Sequence, residues 1–502
     1  MDKYINTPSS VSLKDIVDKD YQMSSSSYRC LQMPNSNYKL LRDFLSRPLS
    51  RKDLGVEVGA LSYIEKSPYK FIRAKALQEH SYLLDLSGET VMNILPSDFI
   101  QMNLKKGDIL ISKDSNIGEV VILDKDYPNY MLSSAIYKLP VLEEWKYYVL
   151  AILKHQLFRE QLDYMVPKGA TIRHAKKLFL DCKIPLPVEN EEKTCAYINS
   201  LMRAITVKEI QIKYRYEKIL SLIDKELMSN QNDNQFNYSL PSYNDIMQLN
   251  RLDTNMYRSY FKKELFYIEN YKYGTKAIED LGFTLSRGQN LQISNIGISI
   301  YSKDRHDNFY TLMLPKYLSK YGTINEISYL GNKNKLKQLK CGDIIFGAEG
   351  FEKGRSIVVI EENANTITNI HGITIQQKGD DLTKAIFVKC FLDYLRSKGL
   401  IDLFAVGGNG GSLAQKYWSY IPFPIFPESK QKEIAFQYHN PIDYPANTIS
   451  SDIFDEMESV FNETAGIYEL DCSVKYLQSL LDKAIDNLVY GKRMSWDTGV
   501  TD

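Results

Sequence analysis

Lys105-Lys106-Gly107-Asp108-Ile109-Leu110-Ile111-Ser112 reads as a turn feeding a buried strand, and Gly118-Glu119-Val120-Val121-Ile122 opens the returning strand. Ile109, Leu110 and Ile111 form one apolar run and Val120 to Leu123 the other, with Asp114-Ser115-Asn116 as turn chemistry between them. The same pattern recurs at Lys340-Cys341-Gly342-Asp343-Ile344-Ile345-Phe346-Gly347, where Gly354 opens Arg355-Ser356-Ile357-Val358-Val359-Ile360. A second motif repeats in the same order. Ile184-Pro185-Leu186-Pro187 returns as Ile421-Pro422-Phe423-Pro424, and two prolines in four residues fit an extended exit rather than a helix. Two motifs repeating in order and register predict two copies of one domain.

Each exit leads into helical sequence. From Glu189 to Met228 there is no glycine or proline, and Ile198, Ile205, Ile212 and Ile219 lie seven apart. That spacing keeps one apolar stripe facing a partner helix. About forty residues at 1.5 Å each give a rod of roughly 60 Å, with Glu189, Glu191 and Glu192 suited to its N-terminus. After the second exit, Ile453, Val460, Ile467, Val474, Leu481 and Leu488 repeat every seven, with Leu470, Leu477 and Ala484 as a second seam. Pro441 and Pro445 predict a short helix and a kinked connection before a long helix ending at Gly491. Trp145–Phe158 reads as a further helix, and Ser229–Asn237 as a flexible joint. The fold class is therefore α/β (α+β): two similar mixed domains, 1–188 and 236–427, alternate with helical regions 189–235 and 428–491. The two stripes are expected to bury against each other as an antiparallel coiled coil, with Ile198, Ile205, Ile212 and Ile219 facing Ile467, Val474, Leu481 and Leu488.

A chain of 502 residues suits two to four domains, and 44% hydrophobic with 25% charged residues is ordinary for a globular protein. No apolar stretch approaches the roughly 20 residues of a membrane span, and Met1-Asp2-Lys3-Tyr4 opens no signal core, so a cytoplasmic location and no membrane partner are expected. Six scattered cysteines (Cys30, Cys182, Cys195, Cys341, Cys390, Cys472) without a Cys-x-x-Cys pair argue for reduced thiols and against zinc. The six histidines show no metal-ligand spacing. The 62 basic and 62 acidic residues cancel, which leaves a local basic surface open. The 36 tyrosines suit strands and core.

Catalytic motifs are missing. No P-loop string exists. Asn440-Pro441-Ile442-Asp443-Tyr444 lacks the second proline of an amino-methyltransferase site and reads as a turn. Asp181 with Glu191 and Lys193 matches a nuclease pattern in letters only, since the last two begin the first long helix.

The Gly-Asp-Ile strands at 107–112 and 342–346 and the two Ile-Pro-x-Pro exits, with Glu189–Ala196 and Glu428–Ala435 behind them, resemble the specificity subunit of type I restriction–modification systems. Arg251-Leu252-Asp253 with Tyr257 resembles a frequent start of the family's recognition half, and Ser429-Lys430-Gln431-Lys432-Glu433-Ile434-Ala435 its usual helix opening. Two departures stand out. The family's Glu-Gln pair is Glu191-Glu192 and Gln431-Lys432 here, and Asn440–Ser451 lengthens the second connection. The resemblance implies two target-recognition domains, each binding half of a split DNA site, on conserved helices that set the spacer. It implies a non-catalytic chain that docks two adenine methyltransferase subunits and, for cleavage, motor-nuclease subunits. S-adenosylmethionine, ATP and Mg would then sit on those partners. The alternatives are a protein-interaction scaffold with duplicated domains, or a stand-alone nuclease.

Candidate DNA contacts follow from chemistry. Arg and Lys suit guanine, Asn suits adenine and Glu accepts from cytosine. These pick out Lys113 and Asn116 in the first turn, and Glu349, Lys353 and Arg355 in the second. Lys168, Thr171, Arg173 and Lys176 form one candidate phosphate-binding cluster, and Lys333 and Lys335, with Lys337 and Lys340, another. Gly407–Gly411 occupies the place in the second domain that Lys168–Lys177 holds in the first.

Overall fold

The computed structural model describes residues 3–166, 174–350, 352–362, 365–407, 411–449 and 453–493. It divides into two units. The first takes in Met1–Ile210, Pro445–Ser459 and Cys472–Asp502, the second Gln211–Tyr444 and Val460–Asp471.

In the first unit, strand β1 (Ile5–Asn6) is followed by helix α1 (Leu13–Asp18), which a Ser12–Asp15 capping box opens. β1 pairs with β2 (Cys30–Leu31). After β3 (Tyr38–Leu40), β4 (Lys70–Ile72) joins β5 (Val91–Asn93). The strands of the quoted motif, β6 (Ile109–Ser112) and β7 (Val120–Ile122), are fully buried and antiparallel. β8 (Tyr130–Leu132) lies parallel to β4, and β9 (Ile136–Leu139) antiparallel to β6. Two small sheets result, β5-β4-β8 and β7-β6-β9. Helices α2 (Lys146–Lys154) and α3 (Gln156–Met165) follow, and the proline exit forms β10 (Lys183–Pro185) against β3.

The single helix expected over Trp145–Phe158 is broken. His155 is extended (φ −77°, ψ 152°), and its Nδ1 accepts from Leu157 N at 3.2 Å, capping α3. Burial pushes this imidazole down to about 4. The unfolded chain, at the ordinary value of 6.5, therefore takes the proton first, and stability falls as pH drops from about 6.5 to about 4. Asp482 lies 3.8 Å from the ring with 64% of its side chain exposed. His155→Asn keeps a capping acceptor without a titrating charge. Melting curves between pH 7 and 4.5 should show a steep acid limb in the parent, worth at most about 3 kcal/mol, and a flatter one in the variant.

Helix α4 (Glu191–Ser229) runs 39 residues, roughly 58 Å at 1.5 Å per residue. It begins in the first unit and ends in the second.

The second unit carries α5 (Tyr243–Leu249) and α6 (Ser259–Glu269), then β11 (Thr275–Lys276), β12 (Phe283–Arg287), α7 (Ile293–Ile296), β13 (Ser299–Ser302), β14 (Tyr310–Leu312) and β15 (Ser328–Asn332). The repeated motif forms β16 (Ile344–Gly347) and β17 (Ser356–Val358), again fully buried, followed by β18 (Thr366–Ile367) and β19 (Gly372–Gln377). The sheets are β12-β19-β16-β17 and β13-β15-β14-β18. Without β12 and β13 these match the first unit's sheets in order and sense, including one parallel pair, β14 with β18. Helices α8 (Leu382–Ser397) and α9 (Leu400–Phe404) follow, and the second exit forms β20 (Phe423–Pro424) against β11. The duplication legible in two short motifs is thus a duplication of the whole domain.

The chain continues through α10 (Glu428–Tyr438), α11 (Phe454–Thr464) and α12 (Ile467–Val489). The continuous seam expected from Ile453 is corrected here. Ile453 and Val460 are 51% and 52% exposed, and the helix breaks at Ala465-Gly466. A Cβ on Gly466 would lie 2.7 Å from the Tyr438 carbonyl, so the break is where two backbones meet. Beyond it, Ile467, Val474, Leu481 and Leu488 are all buried, as are Ile198, Ile205, Ile212 and Ile219. In the first unit a cleft lined by Glu189, Asn190, Thr194, Leu488 and Gly491 sets the start of α4 beside the end of α12. In the second, Ile212, Tyr216, Ile219 and Ile223 share a core with Phe461, Ala465, Ile467 and Leu470. There Arg215 donates to Gln437 Oε1 at 3.1 Å and to the Glu463 carbonyl. α4 and α12 therefore run antiparallel. The expected joint after α4 is also tied down: Asn270 Nδ2 donates to Gln231 Oε1 and the Asn232 carbonyl, and Asn234 donates to Asn270 Oδ1.

Candidate nucleic-acid interface

The repeated Gly-Asp pair is a turn lock. Gly107 and Gly342 sit at φ +84° and +85°, the left-handed region glycine enters freely. Asp108 Oδ2 accepts from Lys105 N at 2.7 Å, and Asp343 Oδ2 from Lys340 N at 2.9 Å. These turns lead directly into β6 and β16.

Corresponding backbone bonds fix the address in each unit. Ala175 N donates to the Lys113 carbonyl at 2.9 Å, and Leu413 N to the Ala348 carbonyl at 2.9 Å. Lys113 N bonds the Ala135 carbonyl, as Ala348 N bonds that of His371. Gly55 N bonds the Ile136 carbonyl, as Gly288 N bonds that of Gly372. Asp114 thus corresponds to Glu349, Ala135 to His371 and Leu54 to Arg287.

In the first unit, Asp114 pairs with Lys113 and with His174 Nδ1 at 2.6 Å, and His174 is 55% exposed. Asn116 Nδ2 lies 3.4 Å from the Leu77 carbonyl. Lys176 is exposed at φ +49°, while Lys168, Thr171 and Arg173 lie outside the described residues.

In the second unit, Glu349 receives Arg287 Nη1 at 3.0 Å on one oxygen and His371 Nδ1 at 2.7 Å on the other. Arg287 Nη1 also meets the Ile370 carbonyl at 3.2 Å. Lys337 Nζ bonds Ser286 Oγ and the Arg287 carbonyl, and Lys337 N bonds Gln289 Oε1 at 3.1 Å. The structure so joins Glu349 to the loop carrying exposed Lys333 and Lys335. Lys353 and Arg355 depart from the expectation that they face DNA. Lys353 Nζ lies 2.6 Å from Asp402 with 8% of its side chain exposed, and Arg355 donates to the Leu318 carbonyl and Glu352. Arg287 and His371 escape a sequence reading because only the β12–β19 and β16–β19 pairings bring them to Glu349.

Among the described residues no cluster of His, Cys, Asp or Glu could hold a metal ion, and no helix is long and apolar enough to cross a membrane.

Residues 62–214 match the family model of the type I restriction modification DNA specificity domain. The match spans less than a third of the chain, and the resemblance drawn from the sequence motifs is to the same family. Among solved structures, the S subunit of a type I restriction–modification system from M. genitalium is 13% identical, covers 90% of this chain and 95% of its own, and gives a TM-score of 0.38. The HsdS subunit from Thermoanaerobacter tengcongensis is 11% identical over 91% of this chain and 97% of its own, with a TM-score of 0.25. A chain from a study of complex assembly and conformational transition of the type I R-M system is 12% identical over 92% and 99%, with a TM-score of 0.28. At such scores the superpositions by themselves establish nothing further about this chain. No curated protein matches.

Proposed function

We propose that this chain is the non-catalytic specificity subunit of a type I restriction–modification complex, reading a bipartite DNA site with one half assigned to each unit. The observation that carries the reading is the duplication. The family match covers 62–214, and the second unit repeats the same sheets, turn locks and proline exit. Two copies with different side chains at corresponding addresses suit two different half-sequences, since base edges are told apart by donors and acceptors placed in the major groove. A rod the length of α4 exceeds the 34–36 Å between half-sites one helical turn apart. On this reading, α4 and α12 dock two adenine methyltransferase subunits and, where the system cuts, motor-nuclease subunits. Those partners bring S-adenosylmethionine, ATP and Mg, and the complex works in the cytoplasm. Mapping adenine methylation in the host with and without this chain tests the reading. A bipartite methylated motif should disappear on its loss, and an unchanged map overturns the proposal. Purified complex should also bind that motif with an affinity that falls steeply between 50 and 200 mM salt, by about 10³-fold if six phosphates are contacted.

A further inference from the structure

Resting on that reading, we infer that Arg287, Glu349 and His371 form the base-reading cluster of the second unit, directed at a G·C pair. Glu349 accepts two bonds, and the partners keep 36% (Arg287) and 62% (His371) of their side chains exposed. Arg287 Nη1 is committed to Glu349 and the Ile370 carbonyl, while Nη2 has no partner among the described residues. An ionised carboxylate only accepts, so with Glu349 in that form His371 Nδ1 carries the proton in the bond between them. In the neutral ring the opposite nitrogen, Nε2, is then an acceptor, on a residue 62% exposed. One donor and one acceptor are thereby fixed side by side. Both base pairs set acceptors beside a donor in the major groove, N7 and O6 of guanine with N4 of cytosine, or N7 with N6 of adenine, and the guanidinium donor tips the choice to guanine. Arg287 ends β12, Glu349 follows β16 by two residues and His371 immediately precedes β19, so all three stand at the ends of strands of one sheet.

The first unit explains why such a cluster discriminates. At the addresses of Arg287 and His371 it has Leu54 and Ala135, which offer no side-chain hydrogen bonds. Its carboxylate, Asp114, turns to Lys113 and His174 instead. The same backbone thus presents two different polar sets, and the change lies where a split site requires it.

The test is selection from a randomised duplex library by the purified full-length chain, parent beside Arg287→Lys, Arg287→Ala, His371→Ala and Glu349→Gln. The parent should enrich a two-part motif with a G·C pair in one half. Arg287→Lys keeps the charge yet lacks the planar guanidinium that bonds Glu349 through one nitrogen and offers the other to the base, so preference at that one position should fall about 5- to 150-fold while the other half stays fixed. His371→Ala should relax the same position, and Glu349→Gln should blur it. A uniform loss of affinity across all sequences, with a shallower salt slope, would mark Arg287 as a phosphate contact and overturn the inference. An unchanged motif overturns it as well. A parent that enriches no motif fails the function itself, which is a separate and recognisable result.

Discussion

Lys208→Met should destabilise the protein by about 3–5 kcal/mol, whereas Lys208→Met combined with Glu458→Leu should be neutral or up to about 4 kcal/mol more stable than the parent. The Lys208 ammonium lies 2.8 Å from the Glu458 carboxylate, with the side chains 0% and 7% exposed. Burial holds the lysine down at about 8 even with that partner beside it, so desolvation outweighs the attraction. Lys208→Met strands a buried carboxylate between α4 and α11. Removing both lets hydrocarbon fill the gap. The reason to keep such a pair is register. A heptad stripe of isoleucines is tolerant of sliding by one repeat, and one buried ionic contact is satisfied at a single alignment. Denaturant midpoints for the four members of the cycle check the energies. If the double variant is as unstable as the single one, the contact is stabilising in its own right and the register argument fails.

What the sequence discloses and what it hides divide along the range of the interactions. Gly107 and Gly342 announce themselves because a left-handed turn closed by the next aspartate is a four-residue event. The proline exits are equally local, and α4 is legible because nothing interrupts its period. His155 is hidden for the opposite reason: the residues around it are apolar at helical spacing, and only burial against Tyr4, with ring centroids 5.7 Å apart, decides that the helix restarts there. Gly466 stands in plain view within a heptad run, but the carbonyl of Tyr438 that forces it to be glycine is 28 residues away. Period alone extends the seam back to Ile453, which the structure leaves exposed. The candidate site follows the same division. Glu349 comes directly after the motif and is legible, whereas Arg287 lies 62 positions earlier and is delivered by a sheet that crosses the domain. Lys353 and Arg355 carry the right charge for DNA, but Asp402 and the Leu318 carbonyl, both distant in sequence, turn them inward.

Gly55→Ala and Gly288→Ala should each destabilise their own unit by about 3–5 kcal/mol. Neither glycine is needed for a left-handed turn, so the cost is one of space. A Cβ on Gly55 would lie 2.0 Å from the Ser133 carbonyl oxygen and 2.4 Å from that of Leu132. On Gly288 it would lie 2.2 Å from the Asn369 oxygen and 2.7 Å from its carbon. These neighbours are backbone, which has no rotamer to change. The strand can retreat only by giving up the bonds that hold it, Gly55 N to Ile136 O at 3.0 Å and Val56 N to Leu132 O at 2.9 Å, or Gly288 N to Gly372 O at 3.1 Å and Gln289 N to Thr368 O at 2.8 Å. Each buried backbone group left unpaired costs about 1–3 kcal/mol. Gly379→Ala is the control, since nothing lies within 4 Å of its added methyl, and it should shift the midpoint by less than about 0.5 kcal/mol. The two variants differ in what they do to recognition. Gly288 adjoins Arg287, so displacing its strand moves the guanidinium away from Glu349, and discrimination in one half-site should fall together with stability. Gly55 adjoins Leu54, which carries no polar group, and the surviving folded fraction of Gly55→Ala should select bases as the parent does. Equal loss of discrimination in both would mean that base choice depends on the integrity of the sheet rather than on the side chains it presents.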